Sequence, residues 1–264
     1  MKKTIILLFS IAFAHAVCAQ DTATNVQQDF FSFQLVQHVG LNDWSSMGYA
    51  KRGFPDKGLT ELRTTMTVTG KYWGCFMDMG IGVMGGPKLN ASDITQMPMP
   101  NSGTQYYLRD VITEQGMTGA SVHFKMAAGF TGNIPINEDL MLKPYVGIGF
   151  ITMPQRKYEV LLKEAGSNME YRTSYIWNCE NDAYGNGNAS GDRTTPGYLN
   201  LRLNLKYKVS EKTNLLVGLE YTNFLTGMDF FAHYSNVFNA NIERNISVVG
   251  NRMNMLGLSV GLSF

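Results

Sequence analysis

The residues of this chain best suited to chemistry are its histidines, each of which could act as a general base beside a serine or a carboxylate. After residue 19 the sequence holds three, His38, His123 and His233. Side chains that could complete a catalytic group lie close in sequence to His38 and His233: Asp43, Ser45, Ser46, Asp229 and Ser235. Triads are recognised by geometry and not by chain order, and no spacing here is diagnostic. We therefore expect no enzyme, with catalysis by these residues as an alternative.

Other common kinds of functional site find little support. The histidines and cysteines lack the spacing of metal ligands, and the glycine-rich stretches lack the lysine of a phosphate-binding loop. Without Lys2 and Lys3 the chain carries 20 basic and 21 acidic residues. This near balance does not favour nucleic acid as a partner. We expect no cofactor, no metal and no nucleic-acid binding.

The first nineteen residues have the pattern of a secretory signal peptide. Lys2 and Lys3 precede a short apolar run, Ile5 to Ala14, and small residues follow at Val17–Ala19. The apolar run is too short to cross a bilayer as a helix. We predict cleavage before Gln20, which leaves residues 20–264 as one domain.

The remaining chain is organised as segments in which apolar and polar residues alternate. In the last of them, Leu256, Leu258, Val260, Leu262 and Phe264 share one face, opposite glycine and serine. A period of two predicts a strand. The same pattern predicts eight strands, at Phe30–Gly40, Glu61–Thr69, Tyr72–Met84, Gly116–Phe130, Leu140–Met153, Tyr198–Val209, Asn214–Phe224 and Gly250–Phe264. Their length suits tilted strands that cross a bilayer.

The connections between these segments alternate in length. Three are short, with about 2 to 9 residues, and four are long, with about 20 to 44 residues. The longest runs from Pro154 to Pro196, and its first part, Arg156 to Trp177, resembles a hairpin that turns at Gly166. If that hairpin joined the wall, the strand count would be ten. Alternation of short and long connections places all long loops at one end of an up-and-down barrel.

Aromatic residues at the strand ends fit two interfacial girdles. One set falls at the short-turn ends: Phe31, Trp73, Phe130, Tyr207 and Phe264. The other falls at the long-loop ends: Phe150, Tyr198, Tyr221 and Phe224.

Together the leader, the alternating strands, the loop asymmetry and the terminal Phe264 make the chain resemble the small outer-membrane β-barrels of Gram-negative bacteria, of the OmpA and OmpX type. The resemblance implies an all-β, eight-stranded, antiparallel up-and-down transmembrane barrel with short periplasmic turns and long extracellular loops. It implies a monomer in the cell outer membrane, with membrane lipid as a partner. It also implies assembly by the barrel-assembly machinery through the strand that ends at Phe264.

If the apolar faces meet lipid, the charged residues of the strands point inward. They are Arg63, Asp78, Lys125, Lys143, Arg202, Lys206 and Glu220. An eight-stranded barrel is just wide enough to be filled by side chains, so we predict an interior plug of paired charges. The expected role is structural, or surface recognition through loops whose ligand the sequence does not name. A narrow solute channel is the alternative, and a lipid-modifying or proteolytic enzyme at the rim is a third possibility.

Overall fold

The structure is a computed structural model of the whole chain, and it describes residues 30–40, 58–85, 99–101, 103–115, 120–154, 156–179, 193–225, 229–239, 243–248 and 254–264. The predicted signal peptide, Asp43, Ser45 and Ser46 lie outside these ranges. The described residues form sixteen strands. They are β1 Phe31–Gly40, β2 Leu59–Thr69, β3 Trp73–Gly85, β4 Tyr106–Gln115, β5 Ala120–Gly132, β6 Ile134–Pro135, β7 Leu140–Ile151, β8 Met153–Pro154, β9 Arg156–Glu164, β10 Glu170–Cys179, β11 Arg193–Thr194, β12 Gly197–Lys208, β13 Asn214–Phe224, β14 Asp229–Asn236, β15 Glu243–Val248 and β16 Asn254–Ser263.

Eight long strands close into an antiparallel barrel in the order β1, β2, β3, β5, β7, β12, β13, β16. The first strand pairs with the last, from Ser32 opposite Ser263 to Gly40 opposite Met255. All eight coincide with predicted segments to within a few residues, and the predicted closure is confirmed. Closure leaves no sheet edge with unpaired backbone groups, which a bilayer would not tolerate.

The side chains of the wall alternate as the sequence predicts. On β1, Phe33 and Leu35 are exposed on the outer surface, whereas Gln34 and Val36 are buried inside. The outer surface of the wall is apolar on every strand and carries many exposed large hydrophobic side chains. A continuous apolar belt around a closed antiparallel barrel is the surface that an outer-membrane β-barrel presents to lipid, so the chain is a membrane-spanning barrel of the outer-membrane type, which places it in the cell outer membrane. Among the described residues, no helix is long and apolar enough to cross a membrane.

The two ends of the barrel differ, and we name them by their connections. At the short-turn end, β2–β3, β5–β7 and β12–β13 are joined by brief links, and the outward aromatic residues predicted there are all exposed. At the long-loop end, Phe150 is exposed but Tyr198 and Phe224 are fully buried inside the barrel. Placing these two in an outer girdle was wrong, because each shares the strand parity of inward residues, Asn200 for Tyr198 and Thr222 for Phe224.

The long connections form a second sheet, which we call the loop sheet: β4, β9, β10, β14 and β15, in the order β15-β14-β10-β9-β4. The predicted hairpin is present as β9 and β10, and Gly166 takes a positive φ of 76° in its turn. It pairs within the loop sheet and not in the wall, so the barrel has eight strands and not ten. Strands β4, β14 and β15 were not predicted. Two register shifts in β4 break the two-residue period that marks a strand.

Candidate functional site

The charged residues predicted inside the barrel all lie there in the structure. Each of the seven is at least nine-tenths buried: Arg63, Asp78, Lys125, Lys143, Arg202, Lys206 and Glu220. They come from six different strands, so only closure of the barrel brings them together. The interior also holds Glu61 and His38, which we had not included in the plug. Both residues occupy inward-facing positions of predicted strands, and this alternation is the sequence signal that could have identified them.

Two carboxylates, Glu61 and Glu220, are the centre of this charge network. The Oε1 of Glu61 accepts a hydrogen bond of 2.9 Å from Nε of Arg63. Arg63 also forms an ion pair with Glu220. Lys125 Nζ lies 2.6 Å from Glu220 Oε1 and 3.6 Å from Glu61 Oε2. The two acids and two bases balance in charge, which buried ions require.

Three further side chains contact the two carboxylates. Asn200 donates to Glu220 Oε1 over 2.7 Å and the Thr222 hydroxyl lies 3.2 Å from the same oxygen. His38 Nε2 lies 3.2 Å from Glu61 Oε2. A network in which each carboxylate has several partners is rigid and costly to disrupt.

A second ion pair lies closer to the short-turn end. Both terminal nitrogens of Arg202 reach the carboxylate of Asp78, at 3.0 and 3.3 Å. The Thr65 hydroxyl donates to the same carboxylate over 2.6 Å. The guanidinium lies 4.0 Å from the ring centroid of Tyr145 and 5.4 Å from that of Phe76. Arginine suits this position because its planar guanidinium can bind a carboxylate and stack on an aromatic ring at the same time.

Glycines on β3 provide the space for this network. A side chain at Gly80 would collide with the carboxylate of Glu61, and one at Gly82 would collide with the ring of His123. On the opposite side of the barrel, the missing side chain of Gly218 leaves space for the side chain of Asn204, and that of Gly257 leaves space for the ring of His38. Small inward residues on some strands are therefore the counterpart of long charged residues on others.

Above the network, at the long-loop end, an apolar layer fills the interior. Its members are inward-facing and almost fully buried: Leu59, Met84, Ile151, Tyr198, Phe224 and Met255. They pack in one continuous cluster with the buried face of the loop sheet, which includes Tyr158, Val160, Tyr175 and Tyr234. The interior is thus closed twice, by paired charges and by hydrophobic side chains.

The half of the interior nearer the short-turn end holds two further buried lysines beside apolar side chains such as Phe76 and Leu216. Lys143 and Lys206 lie there, on the neighbouring strands β7 and β12. Counting Arg63, Lys125 and Arg202, five inward bases of the described strands face three inward acids, Glu61, Asp78 and Glu220.

The three histidines do not form one group, because only two of them lie inside the barrel. His38 and His123 are fully buried inside the barrel. His233 belongs to the loop sheet, where it pairs with Ser174 and Asn245. Ser235 lies two residues from His233 on the same strand; Asp229 begins that strand. No group of three or more metal-binding side chains occurs among the described residues.

The outer face of the loop sheet carries its own ion pairs. Glu159 lies 2.8 Å from Nζ of Lys157 and is also paired with Arg172, and Glu170 is paired with Arg109. Burial alone would raise the pKa of Glu159, but hydrogen bonds and charge from Lys157 and Arg172 outweigh it and lower the pKa. Next to these charges, Tyr107, Val111 and Ile112 of β4 are exposed.

Comparison with known proteins finds similarity only to solved structures, and only at very low sequence identity. No protein-family model matches the chain. No curated protein matches it either. Among solved structures, the attachment invasion locus protein Ail of Yersinia pestis shares 11% identity at a TM-score of 0.37, over 88% of this chain and 94% of that one. A major outer membrane protein from Thermus thermophilus shares 10% at a TM-score of 0.38, over 89% and 98%. The outer membrane protease OmpT of Escherichia coli shares 9% at a TM-score of 0.34, over 89% and 94%.

Proposed function

We propose that this protein is a non-enzymatic, non-conducting barrel that holds the loop sheet at the cell surface for recognition. The observation that carries the proposal is the double closure of the interior. Paired charges around Glu61 and Glu220 fill its middle, and the apolar layer fills its long-loop end. A wall of eight strands leaves side chains and not a pore at its centre.

The loop sheet is the second support. In a barrel of this type the short turns face the periplasm and the long loops face outward. The outward loops here are ordered into five strands with an outer face of paired charges, beside exposed Tyr107, Val111 and Ile112. An ordered surface binds with less loss of conformational entropy than a mobile loop.

Catalysis is not part of the proposal. His38 is enclosed in the charge network, where its Nε2 faces Glu61 and not a serine. His233 lies on the loop sheet, so the two histidines with candidate companions belong to different parts of the molecule. We therefore propose no hydrolase activity for either histidine.

Assembly through the last strand belongs to the same proposal. β16 is the closing strand, and Phe264 is exposed on the outer surface with its ring centroid 6.5 Å from that of Phe33. We expect Phe264→Ala to lower the fraction of chain assembled in cells without changing the fold of the fraction that assembles. An unchanged yield would remove the barrel-assembly machinery as a partner of this strand.

The deciding experiment is single-channel recording in planar bilayers, with the wild type beside a variant in which Glu61, Arg63, Lys125 and Glu220 are replaced together by alanine. We expect no discrete conductance from the wild type. The variant keeps the apolar layer, so we expect it to stay closed as well, and openings that it alone shows would mean that the charge network is the sole closure. Steady openings of the wild type would instead establish the narrow solute channel.

The recognition role is tested by replacing residues 156–179 with a short turn. Vesicles carrying the barrel without this hairpin should adhere to target cells much less than vesicles carrying the full chain, at equal amounts of heat-modifiable barrel. Equal adhesion would show that the loop sheet does not bind.

A further inference from the structure

The outer surface of the barrel contains a cluster of methionines, which we call the methionine patch: Met66 on β2, Met77 and Met79 on β3, and Met126 on β5. Met66 is directly opposite Met77, and Met79 is directly opposite Met126. Met79 and Met126 are exposed, and Met66 and Met77 are half-buried. Directly opposed side chains have Cβ atoms about 4.5–5.5 Å apart, so the four thioethers form one patch.

The patch faces lipid. The residues next to its members along the strands, such as Thr65, Asp78 and Lys125, are buried in the barrel interior. The methionine side chains therefore point to the outside of the wall. Among the described residues, the outward positions of the other five wall strands hold no methionine and carry mainly leucine, valine, isoleucine and phenylalanine. Of the three further methionines of the wall, Met84 and Met255 are fully buried inside, and Met141 is half-buried at an inward position near the short-turn end of β7. In the part of the wall that the structure describes, the lipid-facing thioethers therefore lie on one side of the barrel.

We propose that the methionine patch reduces hydroperoxides of membrane lipids, one equivalent per thioether. The sulfur lone pair attacks the terminal oxygen of the R–O–O–H group and the O–O bond breaks. A sulfoxide forms, and the departing alkoxide takes the hydroperoxide proton and leaves as the alcohol R–OH. Sulfur loses two electrons and the peroxide gains them, so no other reductant is needed.

The location of the methionine patch in the lipid-facing surface determines which class of oxidant can reach it. A lipid hydroperoxide carries its reactive group among the acyl chains, where these thioethers lie, whereas a charged oxidant stays in water. Methionine is flexible and polarizable, which suits contact with irregular chains. The methionines at the interior positions 84 and 255 meet neither kind of oxidant.

The test uses the folded full chain in vesicles, with two oxidants. A fatty-acid hydroperoxide in the bilayer should add one oxygen each to Met66, Met77, Met79 and Met126, assigned by fragment mass spectra, and leave Met84 and Met255 unmodified. Periodate in the water phase should instead modify Met169, which is exposed in the β9–β10 turn. A patch left unmodified by the lipid hydroperoxide, or modified no faster than Met84 and Met255, would overturn the proposal.

Variants provide the second readout. Leucine conserves the volume of methionine well enough to keep the belt apolar. Met77→Leu with Met79→Leu should halve the equivalents of lipid hydroperoxide consumed per barrel, and Met84→Leu should leave consumption unchanged. Equal consumption by the two variants would show that the patch is not the reductant.

Discussion

Ion pairs of the same chemistry occur in two very different settings in this molecule. Inside the barrel, the Arg63–Glu220 pair is 1% and 0% exposed, and Glu220 has three further partners. On the loop sheet, the Arg172–Glu159 and Arg109–Glu170 pairs place arginines that are 57% and 55% exposed against better-covered carboxylates. Water can replace a lost partner on the sheet but not in the barrel. The burial of a charge pair, and not the chemistry of its two groups, therefore decides how much stability is lost when one partner is removed.

Removal of the central carboxylate should have the largest effect. Glu220→Gln leaves the buried Arg63 and Lys125 with one anion instead of two, and we expect a loss of about 3–5 kcal/mol in the free energy of unfolding. Urea unfolding in lipid vesicles measures it. The matched control, Glu170→Gln on the loop sheet, should lose about 1 kcal/mol or less. Similar losses at the two positions would contradict the comparison.

The second largest effect on stability should come from a charged side chain placed on the lipid-facing surface. Leu203→Arg puts a guanidinium in the middle of the β12 outer face and should cost about 2–4 kcal/mol, whereas Leu215→Arg, near the short-turn end, should cost about 0–1 kcal/mol. The fraction of heat-modifiable barrel after refolding reports both. If both variants fold alike, the outward face of β12 is not in hydrocarbon.

Filling the space beside the network should have a moderate effect. In Gly82→Ala the new methyl group would overlap the ring of His123, and overpacking of this kind costs about 1–3 kcal/mol. Gly197→Ala is the control, because no atom lies closer than 3.7 Å to its added carbon. A neutral result at position 82 would show that the interior has room to adjust.

Acidification should lower the local stability of the loop sheet by a small amount. The pKa of Glu159 is lowered in the folded protein, so its contribution is complete above the ordinary pKa of glutamate, about 4.3, and is lost as the pH falls through the lower folded value. The protection factors of the β9 and β10 amides, which correct for the intrinsic pH dependence of exchange, should therefore fall below that pH. Glu159→Gln should remove this pH dependence. Protection that falls equally in β9 of the variant would assign the effect to another group.

The sequence predicted the wall well because a lipid-facing barrel obeys one local rule. In β12, leucines at 199, 201, 203 and 205 alternate with Asn200, Arg202 and Asn204, and the structure keeps every one of these facings. The sequence predicted the loop sheet less well. Strand β4 pairs with β9 across about fifty residues and contains two bulges, so neither its partner nor its period could be read locally.

The amino-acid sequence alone determined the eight strands, their facing and their sequential pairing, because alternation and turn length act between neighbours in the chain. Only the tertiary structure decided the partners of the buried charges. Lys125 and Glu220 are 95 residues apart, and Arg202 and Asp78 are 124 apart. Closure of the barrel brings each pair within hydrogen-bonding distance, and the low dielectric of the filled interior then makes each charge depend on its partner.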